Sequence, residues 1–253
     1  MSQRDEQSLA EEYRRQFAWR SWSRVLDSLP SLAGQLVLDL GCGVGDQANA
    51  LAARGARVIG IDSNEELLSA ARARQIAGAE FRLGDLRALD GALSVDGIWC
   101  SFAAAYVPRL GPTLAHWKQA LKPGGWIALT EVDQLFGHEP LHDETRELFF
   151  AYARHALEQD RYDFHMGGKL QAYLEQAGYT VSSVQVVPDQ ELSFDGPADV
   201  AILAAWVARL ARMKGLRDFC GVHFEGLRED FIASLTRVEH RSIARVCCCI
   251  AVA

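Results

Sequence analysis

Residues 36–46, LVLDLGCGVGD, constrain this chain more than any other stretch. Apolar and small residues run into Asp39, glycines then alternate at 41, 43 and 45, and a helical pattern follows. The reading is a buried strand, a tight glycine turn and the start of a helix. Glycine suits such a turn because it accepts positive φ, and because the missing Cβ lets a ligand reach the backbone. The turn is therefore read as the floor of a cofactor site.

The rest of the chain continues as alternating strand and helix. Strands are expected at 36–40, 57–61, 80–83, 95–101 and 125–131, and helices at 46–54, 64–76, 111–121 and 168–177. Pro123-Gly124-Gly125 marks the turn into the fifth strand. Two further strands are expected at 180–187 and 245–252. This alternation, with apolar strands, means an α/β fold with a mostly parallel sheet and helices on both faces. Residues 6–28 carry a helical stripe of Leu9, Tyr13, Phe17, Trp19, Trp22, Val25 and Leu26 that ends at Leu29-Pro30. It reads as a helix packed by its aromatic face, or as a lid whose Tyr13 or Arg20 touches the cofactor. Segments 132–166 and 190–243 break the alternation, and the second holds two helical stretches, PADVAILAAWVARLARM and LREDFIASLT. With residues 1–30 they are expected to form a helical cap inserted into a single domain spanning 1–253. Its core would be about 34–131, 167–187 and 244–253.

Composition narrows the function classes. At 253 residues the chain can bury roughly three quarters of its unfolded surface without disulfides or metals. A net charge of −7 with interspersed signs lacks the basic stripe that nucleic acid needs. No apolar run reaches membrane-spanning length, and the first fifteen residues are too polar for a secretion signal. The expected location is cytoplasmic. The six cysteines, Cys42, Cys100, Cys220 and Cys247 to Cys249, have no zinc-site spacing. The triple run alternates faces of its strand, so cysteine is read as a small buried hydrophobe in a reduced compartment.

The cofactor follows from spacing. Asp62 ends the second strand in VIGID, some twenty residues past Gly41, where an acid takes ribose hydroxyls in doubly wound folds. The dinucleotide fingerprint GxGxxG puts a third glycine at a helix start that receives pyrophosphate. Here the pattern is GxGxG and that place is Asp46. A carboxylate there would cap the helix and repel a pyrophosphate. A cofactor without phosphate and with positive charge meets no such penalty, and S-adenosylmethionine (SAM) has those properties.

The run VLDLGCGVGD, then GIDSN, FRLGDL and LKPGGWIALTE, resembles the class I SAM-dependent methyltransferases. The likeness covers residues 36–131, with a weaker match at LEQAGY (174–179) and the last strand. It implies a Rossmann-like, seven-stranded, mostly parallel sheet with an inserted helical cap. Carried over by position, Asp39 and the backbone of Gly41, Cys42, Gly43 and Gly45 hold the methionine part. Asp62 binds the ribose, with Ser63 beside the adenine. Asp85 accepts from the adenine amine, and Leu86 offers a backbone N–H. Ser101 and Phe102 lie near the transferring methyl. Asp85 reads alternatively as a loop acid capping LRALDG.

Methyl transfer is an in-line displacement that often needs proton removal. The loops after strands four and five should supply the acceptor side. Strand four leads into Ser101-Phe102-Ala103-Ala104, unlike the Asn/Asp-Pro-Pro-aromatic loop of nucleobase-amine and glutamine methyltransferases. No cysteine follows a proline there, as pyrimidine carbon methylation would require. Glu131 and Asp133 lack the third acid of the magnesium-dependent catechol type. A small organic molecule, methylated on O or N and less readily on C, fits best. Base candidates are His138 and His142, with Asp133 and Glu131 as alternatives that would equally bind an amine. Tyr106 would orient the substrate. His138 to His142 spell HExxH, but Pro140 and Gly137 disrupt the helix that motif requires, so no metal is expected. The stretch Tyr162-Asp163-Phe164-His165 and the pair His223-Phe224 read as cap packing, or alternatively as pocket lining, and Gly167-Gly168-Lys169 as a helix start. Three rivals stay open: a protein or RNA methyltransferase, SAM chemistry other than methyl transfer (aminopropyl or carboxymethyl transfer, or cyclisation), and a binding module without turnover.

Overall fold

The computed structural model describes residues 9–89 and 93–253. Its strands are β1 (Leu36–Leu40), β2 (Arg57–Asp62), β3 (Ala79–Leu83), β4 (Val95–Ser101), β5 (Leu121–Asp133), β6 (His138–Glu139), β7 (Thr180–Val187), β8 (Arg241–Ser242) and β9 (Arg245–Val252). Its helices are α1 (Leu9–Ala18), α2 (Trp22–Leu26), α3 (Asp46–Ala52), α4 (Glu65–Ala73), α5 (Leu110–Ala120), α6 (Asp143–Glu158), α7 (Leu170–Gln176), α8 (Val200–Arg212), α9 (Lys214–Cys220) and α10 (Phe224–Leu235).

Seven strands form one sheet in the order β3-β2-β1-β4-β5-β9-β7. Neighbours from β3 to β5 pair parallel, and β9 runs antiparallel to both β5 and β7. The strand order reverses between β1 and β4, and ligands of open α/β sheets bind outside the carboxyl ends of strands at such a point. The pleat divides the core into two layers. Val37, Val58, Trp99, Ala128 and Val246 belong to one, and Leu38, Ile59, Ile98, Ile127 and Cys249 to the other. The triple cysteine obeys the same alternation, with Cys248 in the first layer and Cys249 in the second. All six cysteines are free thiols.

Two expectations of local structure change. The helix expected over 6–28, whose first residues lie outside the described ones, is broken at Trp19 to Ser21. A tertiary contact overrides the stripe: Arg20 and Asp189 form an isolated antiparallel bridge. There Gln190 N–H donates to the Trp19 carbonyl at 3.1 Å and Ser21 N–H to that of Pro188 at 3.2 Å. Asp46 does not cap α3. The cap position is Gly45, in the left-handed region at φ 79°, and Asp46 is the first helical residue. The segments outside the alternation carry α6 and α8 to α10. Asp199 caps α8 by accepting from Ala201 and Ile202 N–H at 2.8 and 2.9 Å. Among the described residues, no helix is long and apolar enough to cross a membrane.

Candidate active site

Two local features build the floor of a cleft at the carboxyl ends of β1, β2 and β4. The glycine turn is tied to β2, because Gly41 and Cys42 N–H donate to the Ile61 carbonyl at 2.8 and 3.1 Å. Asp62, at the end of β2, accepts from Gly43 N–H through Oδ2 and from Asn64 N–H through Oδ1, each at 2.8 Å. Gly41 stands at φ +73°, and a Cβ there would lie 2.3 Å from the Ala103 Cβ, so glycine is required. Asp62 thus projects beside a bare backbone, an arrangement that can accept two neighbouring hydroxyls from a sugar.

The cleft encloses about 580 Å³, within the usual range for small-molecule sites. Of the residues singled out in sequence, those lining it include Gly41, Cys42, Gly43, Asp46, Asp62, Ser63, Asp85, Leu86, Ser101, Phe102, Tyr13, Arg20, Tyr106 and Tyr162. Tyr13 comes from α1 and its ring lies 3.4 Å from where a Gly43 Cβ would be, so α1 covers the turn. Burial, helped by the charges of nearby groups, pushes the Tyr13 phenol up to about 12. Phe102 has φ 55°, a strained conformation for a bulky residue. Its backbone N–H donates to the Thr130 carbonyl at 2.8 Å. Its ring meets Trp22 edge-on at 6.1 Å and lies under the Arg20 guanidinium at 4.5 Å. Asp85 is held below its ordinary value by Arg87, which grips both carboxylate oxygens. An adenine amine would therefore share Asp85 with Arg87.

Other sequence assignments do not reach the cleft. Asp39 and Gly45 lie behind the turn. Asp39 is buried, its carboxyl pushed up to about 8 by desolvation and then by the charge of Asp62, against a lowering hydrogen bond with the Ala48 backbone. The Asp39 Oδ2 is buried without a hydrogen-bond partner among the described residues, and the residue is not part of the cleft lining. Three of the four catalytic candidates are also displaced. His138 is fully buried in the cap, its Nδ1 3.0 Å from Nε2 of His240, and burial holds it neutral at about 3. His142 is exposed and pairs with Asp230 at 3.1 Å. Asp133 faces His165 at 3.5 Å. The physical reason is that the segment after strand five borders the cleft only at Val132 and Leu135, and β6 then carries His138 against Trp206 of α8 and Phe231 of α10. Glu131 is likewise buried, with Ala105 N–H donating to its Oε1 at 2.9 Å. Within HExxH, His138 is on a strand and His142 precedes α6, so no helix presents the two together.

Asp46 does line the cleft, but Arg74 pairs with it at 2.8 Å, so it is not the lone negative charge the sequence suggested. Sequence reasoning missed Gln16, Arg161 and Arg209 and gave Tyr162 only as the less favoured of two readings; all four line the cleft. Arg209 alternates with apolar residues on α8 and reads as a solvated helix face. Only tertiary packing turns it inward, where it pairs with Glu191. A buried ionic network links α1 to α8: Arg20 to Asp189 and Glu191, Arg209 to Glu191, Arg212 to Glu12, and Gln16 to Glu12.

Comparison with known proteins adds to this geometry. Residues 37–125 match the family described as "Methyltransferase domain". The chain is 30% identical, over 84% of its length, to an uncharacterized 37.1 kDa protein of transposon TN4556 from Streptomyces fradiae. It spans 66% of that relative's own length and half or less of the next two curated relatives. It is 29% identical to the trans-aconitate 2-methyltransferase of Methylobacterium radiotolerans, over 86% of this chain and 82% of that one. A solved structure of a putative methyltransferase from Bacillus halodurans superposes with a TM-score of 0.60 at 18% identity, covering 92% of this chain and 97% of the other.

Proposed function

Because the chain belongs to the class I SAM-dependent methyltransferases, we propose that it transfers the SAM methyl group to an O or N nucleophile of a small organic molecule. The observation that carries this reading is Asp62 beside the Cβ-free backbone of Gly43 in one cleft. The residues present fit SAM. Gly41 and Gly43 leave room at the turn, and Asp62 has acceptor lone pairs for a ribose. The carboxylates of Asp46, Asp62 and Asp85 suit a ligand bearing ammonium and sulfonium charge. Bound there, SAM supplies an electrophilic methyl on a positively charged sulfur. The chain's own residues orient the acceptor and exclude water. Tyr13 and Arg20 would form part of a wall over the cofactor, and Ser101 and Phe102 would border the reacting methyl.

Among the described residues, no histidine lines the cleft. Burial raises the Tyr13 and Tyr162 phenols above their ordinary values, which suits them to donate hydrogen bonds and not to act as bases, while Tyr106 is 60% exposed. The acceptor therefore brings a lone pair that needs no proton removed. Trans-aconitate 2-methyltransferase and ubiquinone biosynthesis O-methyltransferase among the relatives support a small-molecule acceptor. We assign a single domain with a helical cap, and place the enzyme in the cytoplasm, which six free thiols support.

Calorimetry with S-adenosylhomocysteine (SAH) tests the cofactor assignment, with saturable one-to-one binding expected. Incubation with methyl-labelled SAM then tests transfer. Absence of SAH and SAM binding would overturn the reading.

A further inference from the structure

Three tyrosines and one arginine meet on the acceptor wall although they come from four parts of the chain. Tyr13 is on α1, Tyr106 ends the short 3-10 turn Ala104–Tyr106 after β4, Tyr162 follows α6, and Arg209 is on α8. All four line the cleft. Tyr106 and Tyr162 pack edge-on with ring centroids 4.8 Å apart, and Tyr13 leans on the glycine turn. None of the three hydroxyls has a hydrogen-bond partner among the described residues. Arg209 directs one nitrogen to Glu191, while its Nε is buried without a hydrogen bond. The Arg209 charge is felt at all three phenols, as are those of Asp62 at Tyr13 and Tyr106 and of Glu131 at Tyr106 and Tyr162.

The wall thus offers donors and positive charge. Arg20 and Arg161 line it too. The acids behind it are engaged: Glu191 by Arg20 and Arg209, and Asp189 by Arg20. Glu131 accepts from Ala105 N–H below the cleft floor. A cationic amine would meet only acids already paired with arginine: Glu191, Asp189, and Asp160, which Arg109 holds. An anion with acceptor lone pairs would find a guanidinium and free hydroxyls.

Building on the methyltransferase reading, we propose that the acceptor is a carboxylate, held through one oxygen by Arg209 and the paired Tyr106 and Tyr162, with Tyr13 beside it, and methylated on the other. A lone pair of the free oxygen forms the O–CH3 bond as the S–CH3 bond breaks, and that bonding pair stays on sulfur. Sulfonium and carboxylate become a neutral thioether and a neutral methyl ester. No proton moves, which matches a cleft with no histidine among its described lining. The held oxygen becomes the ester carbonyl, and loss of its charge weakens its hold on Arg209 and favours release.

The test uses the full chain with methyl-labelled SAM and five acids: fumarate, citrate, hexanoate, benzoate and phenylacetate. Alcohol and amine counterparts of the last three run in parallel. Label in an ester is released as volatile methanol by mild alkali, whereas methyl ethers and methylamines resist. The expected result is alkali-labile transfer to at least one acid. With that acid, Tyr106→Phe and Tyr162→Phe should raise KM about tenfold each while leaving SAH affinity unchanged. Arg209→Gln should lower kcat/KM more than tenfold, and Arg209→Lys should restore part of the loss; melting curves establish that each variant is folded. Transfer to no acid, or only to the alcohols or amines, overturns the carboxylate assignment, as do unchanged KM values in both Phe variants. SAH binding by the same preparation separates the outcomes: binding without ester formation sinks this inference alone, whereas no binding sinks the methyltransferase reading beneath it.

Discussion

Replacing Glu131 by Gln should convert a buried carboxyl into a measurable difference in pH profile. Glu131 has no exposed surface on β5. Its Oε1 accepts from Ala105 N–H at 2.9 Å, and Oε2 has no partner among the described residues. Desolvation pushes the carboxyl up to about 8, against partial relief from the amides of Ala105, Val132 and Ala104. In the unfolded chain it titrates near 4.5. Between these values the native state keeps a proton that the unfolded state releases. Stability present below the unfolded value therefore falls as pH rises towards the folded one. Each unit is worth about 1.4 kcal/mol, so by pH 7 this group alone removes about 3 kcal/mol. Gln keeps the acceptor for Ala105 and cannot ionise. Its amide donors stand where Oε2 finds no partner, at a cost of about 1–2 kcal/mol at every pH. Glu131→Gln should therefore be less stable than the parent at pH 5 and more stable at pH 8, with the two curves crossing between. Urea denaturation in half-unit pH steps measures this. Comparing the two proteins at each pH cancels Asp39, which burial also pushes up to about 8. It likewise cancels His138, whose folded value near 3 makes its contribution rise with pH up to the unfolded value of 6.5. Parallel curves would refute the reasoning, because Glu131 would then be ionised in the native protein.

Asp62→Ala removes the acceptor for Gly43 and Asn64 N–H and should weaken SAH binding at least tenfold; unchanged affinity by calorimetry would remove the ribose assignment. Gly41→Ala puts a Cβ 2.3 Å from that of Ala103 at φ +73°. It should destabilise by about 1–3 kcal/mol and impair SAH binding, so a variant melting with the parent would count against the turn geometry. His142→Ala should leave kcat within about twofold, since an exposed side chain outside the cleft contributes little; a loss beyond tenfold would reinstate it as a base.

Much of the cofactor side was legible in the sequence because it is local. Gly41, Gly43 and Asp62 each sit at a strand end, and strand ends are visible in apolar runs and glycine punctuation. Once strands pair parallel, those ends fall on one edge of the sheet. Asp39 and Asp46 show the limit of that reasoning. Their types and places were read correctly, but their surroundings were not: Asp39 lies under the turn, and Arg74 reaches Asp46 from 28 residues away.

The acceptor side was not legible. His138 and His142 drew attention by residue type and by following strand five, yet β6 carries His138 into the cap against His240. Arg209 gave no local signal, and Tyr162 gave only a weak one, as an aromatic in a stretch with Phe164 and His165. A helix with arginine among alanines and leucines does not show which face turns inward, and that is decided by α1, α6 and the 189–191 segment packing against it.

By itself, then, the sequence determined the alternating α/β core, the glycine turn and the acid that serves it, because hydrogen bonding and pleat alternation act over a few residues. Only the tertiary structure decided which side chains of the cap line the cleft. Those residues are separated by up to 196 positions, from Tyr13 to Arg209, and meet through the burial of apolar surface and the ion pairs that join α1 to α8.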